Sequence, residues 1–442
     1  MLKILIISHY IAPTQAIGSI RWTKLAKYLK KGHDVEISVL TTKKNYTSET
    51  YYEKYSIDKL LEKDLQYIDH YTEFQSGRLR NAIFQLQRRL NGKKNDKLKI
   101  PTANAGLSGT EVYVKQSMRH SIGNIIKQIE TNEIVKDGFN AYKKLHQQYD
   151  VIISSYGPVW CHLLAKRVKQ DNPSAIWIAD FRDVYAGNPY ETEKEFNSHK
   201  LFVRKELKHA SIITKVADGL ELFEEKTQRV ITLPNGFDPE ERKKPLPPEK
   251  FDFVYTGTFY PNETSLLIVF KAIRELINEK KIVPEDVRII YAGNNGGEFE
   301  RQATTAGLDA YIHNMGSVQR EKAIELQQKA AILLQSYAYT ASFRSLWSGK
   351  MFEYMMASKP IVFTVIGDIP SEQYKLMPKL GGIGVETCRI DETYESMKNF
   401  IIEKYLEWKS TGDVKIKREE EYIQSFSYKK IADDVWIILN SR

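Results

Sequence analysis

Short apolar runs alternate with loops and helical segments along most of this chain. Leu2 to Ser8 is a β-branched apolar run, a turn-rich loop follows, apolar residues recur at helical spacing from Arg21 to Lys31, and Val35 to Leu40 is the next run. A continuous apolar run is typical of a strand buried on both faces. The order strand, loop, helix, strand predicts an open α/β sheet with ligands outside the carboxyl ends of its strands.

The same order begins again in the second half of the chain. Before it, residues 234–238 (PNGFD) form a strong turn signal, and residues 239–250 are rich in Pro, Glu and Lys with Leu246 as the one apolar side chain. A chain of 442 residues also exceeds the usual size of one core. We therefore expect a domain over 1–238, a linker over 239–250 and a second domain from 251.

Net charge and cysteine content narrow the class of protein. The net charge is +9 and the pI about 9.0, which favours an anionic partner such as a nucleotide, a phospholipid surface or a nucleic acid. Cys161 and Cys388 lie far apart in sequence, so we expect reduced thiols in a cytosolic protein. The apolar start is too short for a signal peptide and no run approaches ~20 apolar residues, so we expect a protein that is soluble or attached to the membrane from the cytoplasmic side.

Residues 45–148 are the least regular part of the sequence. From 78 to 99 there are eight Lys or Arg and one Asp, a segment charge of +7. Leu79, Ile83, Leu86 and Leu90 form one apolar stripe among these cations. Such a stripe suits an anionic membrane surface or a lipid phosphate. It is equally the solvated face of a helix packed on the domain, and nucleic acid is a third interpretation.

The segment from 335 to 366 has the strongest features of a binding site. An apolar run ending at Leu334 is followed by a polar loop with Arg344 and then Ser348-Gly349-Lys350, where a helix is predicted to begin. The N-terminus of a helix presents unpaired N–H groups and partial positive charge, and the two cations add to it. This unit therefore favours an anionic ligand.

Glu353 lies in the first turn of that predicted helix, among mostly apolar neighbours. A carboxylate at the mouth of a cleft can accept hydrogen bonds from two vicinal hydroxyls, such as those of a ribose. The alternative is a glutamate that only stabilises the positive end of the helix dipole.

Residues 349–361, GKMFEYMMASKPI, resemble a stretch of the retaining GT-B glycosyltransferases that build bacterial surface polysaccharides. The resemblance implies that Glu353 binds the ribose of a nucleotide-sugar donor. Many members have a second glutamate eight positions earlier, where this chain has Ser345. They also often carry a basic residue a few positions after the glycine equivalent to Gly257, and residues 259–263 supply none.

The resemblance is strong at 1–42, 150–183, 229–238 and 348–366, and it implies two Rossmann-like domains facing a cleft. Residues 251–420 are then the nucleotide-sugar-binding domain, and a C-terminal helix within 421–442 crosses back to the first, acceptor-binding domain. Gly18 is expected in a loop at the cleft. The donor-binding residues implied are Gly18, Gly257, Arg344, Ser345, Gly349, Lys350 and Glu353.

An acidic motif ends another predicted strand, Ala175 to Ala179, and consists of Asp180-Phe181-Arg182-Asp183. Charged side chains at the carboxyl end of a parallel strand lie where open α/β sheets bind ligands. We assign catalytic roles to Asp180, Arg182 and Asp183, which the resemblance supports. The alternative is a structural ion pair between Arg182 and Asp183.

Taken with the resemblance, these features predict retaining transfer of a sugar from a nucleotide diphosphate sugar to a glycan or polyprenyl-linked saccharide. No His, Cys and Asp cluster has metal spacing, so we expect neither a metal nor a cofactor. Peripheral contact with an anionic membrane through 78–99 stays one of the interpretations of that segment, and a nucleic-acid partner is not expected. The alternatives are a non-catalytic GT-B partner subunit that binds nucleotide or glycan, and a sugar-nucleotide epimerase.

Overall fold

The structure is a computed structural model of the chain. It describes residues 1–44, 55–78, 109–182, 193–218, 220, 229–261, 264–338 and 348–440.

Two parallel sheets organise these residues. In the first, with the order β3-β2-β1-β4-β5-β6-β7, the strands are β1 (Leu2–Ile7), β2 (Val35–Thr42), β3 (His70–Phe74), β4 (Val151–Ser155), β5 (Ile176–Phe181), β6 (Ile212–Lys215) and β7 (Arg229–Thr232). In the second, with the order β10-β9-β8-β11-β12-β13, they are β8 (Phe251–Thr256), β9 (Val287–Ala292), β10 (Ile312–Asn314), β11 (Ile332–Ala338), β12 (Ile361–Ile366) and β13 (Gly382–Glu386). The expectation of two Rossmann-like α/β domains is confirmed.

Helices cover both sheets. The α-helices are α1 (Ile17–Gly32), α2 (Lys59–Glu62), α3 (Gly109–Lys143), α4 (Trp160–Asp171), α5 (Glu193–Glu206), α6 (Leu267–Asn278), α7 (Gly296–Thr305), α8 (Arg320–Gln328), α9 (Gly349–Ala357), α10 (Glu372–Leu376), α11 (Ile390–Thr411), α12 (Glu420–Gln424) and α13 (Tyr428–Asn440).

The β1 strand shows why the apolar runs are continuous. Ile4 and Ile6 pack in one hydrophobic cluster with side chains of α1, and Leu5 and Ile7 pack in the other cluster with side chains of α4. Successive strand residues point to opposite faces of a sheet, so a strand covered on both faces needs apolar residues at every position. The β8 strand repeats this arrangement, with Phe253 and Tyr255 on one face and Val254 on the other.

The described part of residues 45–148, which gave no clear pattern, contains the short helix α2, the strand β3 and the 35-residue helix α3. β3 pairs with β2 at the edge of the first sheet, and α3 packs against α4. The basic stripe begins at 79, outside the described residues; Arg78 is described and pairs with Asp137 of α3 at 3.1 Å. The described residues therefore test none of the three interpretations of that stripe, which are a membrane contact, a solvated helix face and a nucleic-acid contact.

The last helix, α13, packs against α1 of the first domain. Tyr428, Ile431 and Val435 share a hydrophobic cluster with Trp22 and Leu25 of α1. The carboxyl end of the chain thus covers the first sheet, although its residues follow the second.

Both cysteines are free, Cys161 buried and Cys388 exposed. Among the described residues, no helix has the length and apolar character needed to cross a bilayer.

Candidate active site

The two sheets each reverse their strand order at one point, between β1 and β4 in the first and between β8 and β11 in the second. Open α/β sheets bind ligands at such a point, outside the carboxyl ends of the strands. In the second domain the β8 end leads into Gly257, and α9 begins beyond the β11 end at Gly349. The donor-binding glycines predicted from the sequence thus lie beside the reversal.

Gly257 is held against Lys350. Its φ is +100°, a backbone region that side chains disfavour, and an added Cβ would lie 2.8 Å from Lys350 Cε. Its N–H donates to the Ala292 carbonyl at 2.8 Å, which fixes the loop to β9. A glycine is required at this position for both the turn and the close approach of the lysine.

The Lys350 ammonium group lies under this loop. Its Nζ donates to the Thr258 carbonyl at 2.9 Å and to the Tyr255 hydroxyl, and it lies 4.3 Å from the centroid of the Tyr255 ring. Burial lowers the pKa of Lys350 to about 7, and the nearby charge of Glu353 only partly opposes that shift. An anion bound at the α9 N-terminus would favour the charged amine.

Glu353 lies one turn further along α9, with 22% of its side chain exposed. One carboxylate oxygen accepts from Arg320 Nε at 3.2 Å and the other from Gln327 Nε2 at 3.1 Å. Both partners belong to α8, so this helix holds the carboxylate from one side.

The N-termini of α1 and α9 meet across the cleft. A Cβ added to Gly349 would lie 3.1 Å from Ile17 Cγ2 of α1. Beside this contact is a cavity of about 30 Å³. Its lining combines both domains and includes Ile17, Asn235, Arg320, Gly349, Phe352 and Glu353.

Gly18 and Arg182 lie together on the first-domain side. A Cβ on Gly18 would lie 2.6 Å from Arg182 Cζ, so the guanidinium packs directly on the start of α1. Arg182 Nη2 donates to the Gly157 carbonyl at 3.1 Å, and Arg182 Cζ lies 5.3 Å from the Tyr10 ring centroid. The structure thus places Arg182, one of the predicted site residues, at the carboxyl ends of β1, β4 and β5. Gly18, on which Arg182 packs, is the residue next to Ile17, which contacts Gly349.

Asp180 ends β5 as expected, but it does not face the cleft. Its side chain is fully buried, and it accepts from Arg21 Nη2 at 2.8 Å, Trp22 Nε1 at 2.7 Å and Thr214 Oγ1 at 2.7 Å. Burial alone would raise the pKa of Asp180, but the charge and hydrogen bonds of Arg21 hold it below the ordinary value. A carboxylate so enclosed has no access to substrate, so the geometry gives Asp180 a structural role in place of the catalytic role assigned from the sequence.

Three of the predicted site residues, Asp183, Arg344 and Ser345, fall outside the described residues. The interpretation of Arg182 and Asp183 as an ion pair falls outside them as well.

An ionic cluster beside the site joins the first domain to Glu241 of the linker. Lys24 Nζ of α1 lies 2.5 Å from Asp64, 2.7 Å from Asp238 and 2.5 Å from Glu241, and its side chain is 1% exposed. Those three carboxylates are close enough together to hold a metal ion, but the lysine ammonium contacts all of them. Glu241 also accepts from Arg320 Nη2 at 2.7 Å, which connects this cluster to Glu353.

Arg320 and Gln327 are not among the site residues that the sequence predicts. Both lie on α8, which follows β10. The available signal was the position of Arg320 at the start of a helix beyond the carboxyl end of a parallel strand, where ligands are expected.

Comparison with solved structures identifies the architecture. A glycosyltransferase from Rickettsia africae aligns with a TM-score of 0.56 and 14% identity over 99% of this chain and 97% of that one. HepE from Anabaena, solved in complex with UDP-glucose, gives a TM-score of 0.58 at 12% identity over the whole of both chains. Sucrose-phosphate synthase from Thermosynechococcus elongatus gives 0.56 at 13% identity over 99% and 98%. The protein has the GT-B fold.

The sequence itself matches one family over part of its length. Residues 250–381 match the family described as Glycosyl transferases group 1. The matched segment contains Gly257, Arg320, Lys350 and Glu353, so it spans the candidate donor site. No curated protein matches the chain.

Proposed function

We propose that the protein is a retaining glycosyltransferase that moves a sugar from a nucleotide diphosphate sugar to a glycan or lipid-linked saccharide in bacterial polysaccharide assembly. The observation that carries this proposal is the geometry of α9, whose first residue Gly349 and Glu353 line the cavity between the domains, with Lys350 buried in its first turn. The family match at 250–381 and the GT-B neighbours support it.

Glu353 binds the ribose through its two hydroxyls, and the α9 N-terminus binds the diphosphate. Lys350 lies close enough to that N-terminus to add a positive charge when the diphosphate arrives, and Arg344 is proposed to add another. Fixed positive groups stabilise the charge that develops on the leaving diphosphate, which is the task a metal ion performs in other transferases. The reaction proposed here needs neither metal nor cofactor.

In the transfer step the bond between the sugar C1 and the diphosphate breaks, and the acceptor oxygen bonds to C1 on the same face. The acceptor proton goes to the departing phosphate oxygen. The burial of Asp180 supports this route, because no substrate hydroxyl reaches its carboxylate. Arg182 and Asp183 remain proposed to orient the acceptor on the first-domain side.

The acceptor is proposed to reach the site from the cytoplasmic face of a membrane, with residues 78–99 in peripheral contact with anionic lipid. The second candidate is a non-catalytic partner subunit that binds nucleotide or glycan. Ser345 and the absence of a basic residue in 259–263 favour that candidate.

Turnover of the donor tests the proposal. The protein is incubated with UDP-, GDP-, ADP- and CDP-sugars and a bacterial glycolipid extract, and release of nucleoside diphosphate is followed. We expect release from one donor class, retention of the anomeric configuration by NMR, and loss of release in Glu353→Ala. Glu325→Ala is the matched control, because Glu325 is an exposed α8 glutamate paired with Lys322 and Lys329. Nucleotide binding without any release would favour the partner subunit.

A further inference from the structure

Arg320 is a buried cation shared by two carboxylates. Its Nε lies 3.2 Å from Glu353 and its Nη2 lies 2.7 Å from Glu241, with 13% of the side chain exposed. The third nitrogen, Nη1, is buried and has no hydrogen-bond partner among the described residues. Arg320 also lines the cavity that contains Glu353 and Gly349.

The guanidinium is planar, and its N–H groups point in fixed directions. When one edge is fixed by Glu241, the Nε–H direction fixes where the Glu353 carboxylate can lie. Glu241 is itself fixed by Lys24 of α1 at 2.5 Å. Gln327 fixes the second oxygen of Glu353 and at the same time donates to Thr256 Oγ1 at 2.8 Å, at the end of β8.

The charge of Arg320 is retained in this environment. Burial disfavours it, but Glu353 and Glu241 outweigh burial and raise the pKa of Arg320 above its ordinary value.

We propose that Arg320 is a positioning residue for ribose recognition, which orients the Glu353 carboxylate so that it accepts hydrogen bonds from both hydroxyls of a 2′,3′-diol. The inference rests on the proposed function, in which Glu353 binds the ribose. Arg320 acts on ribose recognition through Glu353. It follows that the protein selects ribonucleotides over nucleotides that lack the diol, and that Arg320 sets this selectivity.

The test compares dissociation constants of UDP, GDP, ADP and CDP with those of their 2′,3′-dideoxy forms by titration calorimetry. Hydrogen bonds to a charged group correspond to a preference of at least about tenfold for the ribose form in the wild type. Glu353→Gln is expected to remove most of this preference. Arg320→Gln is expected to reduce it likewise while leaving the affinity for the dideoxy form unchanged.

Lys350→Met is the matched control, because a loss at the diphosphate weakens both forms equally and leaves their ratio unchanged. An Arg320→Gln protein that binds both forms more weakly with the wild-type ratio would show a merely structural role and overturn the inference. If Arg320→Gln does not fold, Arg320→Lys carries the same test, since one ammonium cannot reproduce the two-sided fork.

The outcomes separate this inference from the proposed function. If Arg320→Gln keeps the wild-type ratio between the dissociation constants of the dideoxy and ribose forms while Glu353→Gln loses it, the role of Arg320 is overturned and the ribose site is retained. An unchanged ratio in Glu353→Gln, or no preference in the wild type, would overturn both.

Discussion

Arg21 and Asp180 form a buried two-point ion pair, with Nη2 to Oδ1 at 2.8 Å and Nε to Oδ2 at 3.1 Å. Arg21 also donates to the carbonyl groups of Leu233 at 2.8 Å and Pro234 at 2.7 Å. The pair therefore ties α1 and the end of β5 to the segment that leaves the first domain.

Asp180→Ala is predicted to act on stability. It leaves the Arg21 charge buried without its partner, which costs about 3–5 kcal/mol of the free energy of unfolding. Chemical denaturation measures this loss, and Asp171→Ala, which removes a surface pair with Lys143, should cost at most about 1 kcal/mol. If Asp180→Ala instead kept the wild-type stability but lost sugar transfer, Asp180 would have a catalytic role.

Nucleotide binding is predicted to take up a proton through Lys350. Because its pKa is lowered to about 7, the amine is largely neutral at pH 8, and a bound diphosphate favours the ammonium form. Affinity should therefore fall as pH rises above 7, by at most about tenfold per unit for one proton. Calorimetry at pH 8 in buffers of different ionisation enthalpy measures the uptake.

Lys350→Met is expected to abolish that pH dependence. Proton-neutral binding by the wild type at pH 8 would refute the assignment of Lys350 to the diphosphate. The same shift has a consequence for folding: between pH 7 and 10.5 the unfolded chain binds more protons at this lysine than the folded chain, so its contribution to stability rises with pH.

Gly257→Ala is predicted to damage both the loop and the site. The new Cβ would sit at a φ of +100° and 2.8 Å from Lys350 Cε. Strain of this kind costs about 1–3 kcal/mol, and displacement of the lysine weakens nucleotide binding. Gly297→Ala is the control, since nothing lies within 4 Å of its added Cβ. Wild-type affinity in Gly257→Ala would show that the lysine position is unimportant.

Replacing Lys24 and Lys27 together by alanine is predicted to turn the ionic cluster into a cation site, because Lys27 Nζ also lies 2.7 Å from Asp238 and 3.6 Å from Asp64. Without the two ammonium groups, Asp64, Asp238 and Glu241 offer carboxylate oxygens within 4.8 Å of one another. Oxygen ligands of this kind suit Ca²⁺. The variant should be destabilised in the absence of metal and stabilised by millimolar Ca²⁺ in thermal denaturation, whereas the wild type should not respond. An equal response of both proteins would contradict the role of Lys24 and Lys27.

Most of the fold could be predicted because buried parallel strands leave continuous apolar runs between turn signals. The predicted runs Leu2 to Ser8 and Val35 to Leu40 end within two residues of β1 (Leu2–Ile7) and β2 (Val35–Thr42). The α1 helix begins at Ile17, four residues before the predicted Arg21, and it contains Gly18 in its first turn, so the expectation that Gly18 lies in a loop is wrong. The α3 helix was missed, since polar and apolar residues are spread around it without a clear face.

Some residues of the candidate site could likewise be predicted from the sequence, and others could not. Gly257, Gly349, Lys350 and Glu353 lie in local motifs and could be found from the sequence. Arg320 could not be assigned, because its partners Glu353 and Glu241 are 33 and 79 residues away in the chain. Asp180 was placed correctly at a strand end, but only tertiary packing reveals that Arg21 and Trp22 enclose it.

The central claim is that Glu353 belongs to a nucleotide site, and a ligand-dependent stability shift tests it most directly. Thermal unfolding is measured with UDP, GDP, ADP and CDP on the wild type, Glu353→Ala and Glu325→Ala. A nucleotide at ~100 times its dissociation constant should stabilise the wild type by about 2.7 kcal/mol. We predict a shift with one nucleotide that persists in Glu325→Ala and disappears in Glu353→Ala. No shift with any nucleotide, or the same shift in Glu353→Ala, would contradict the claim.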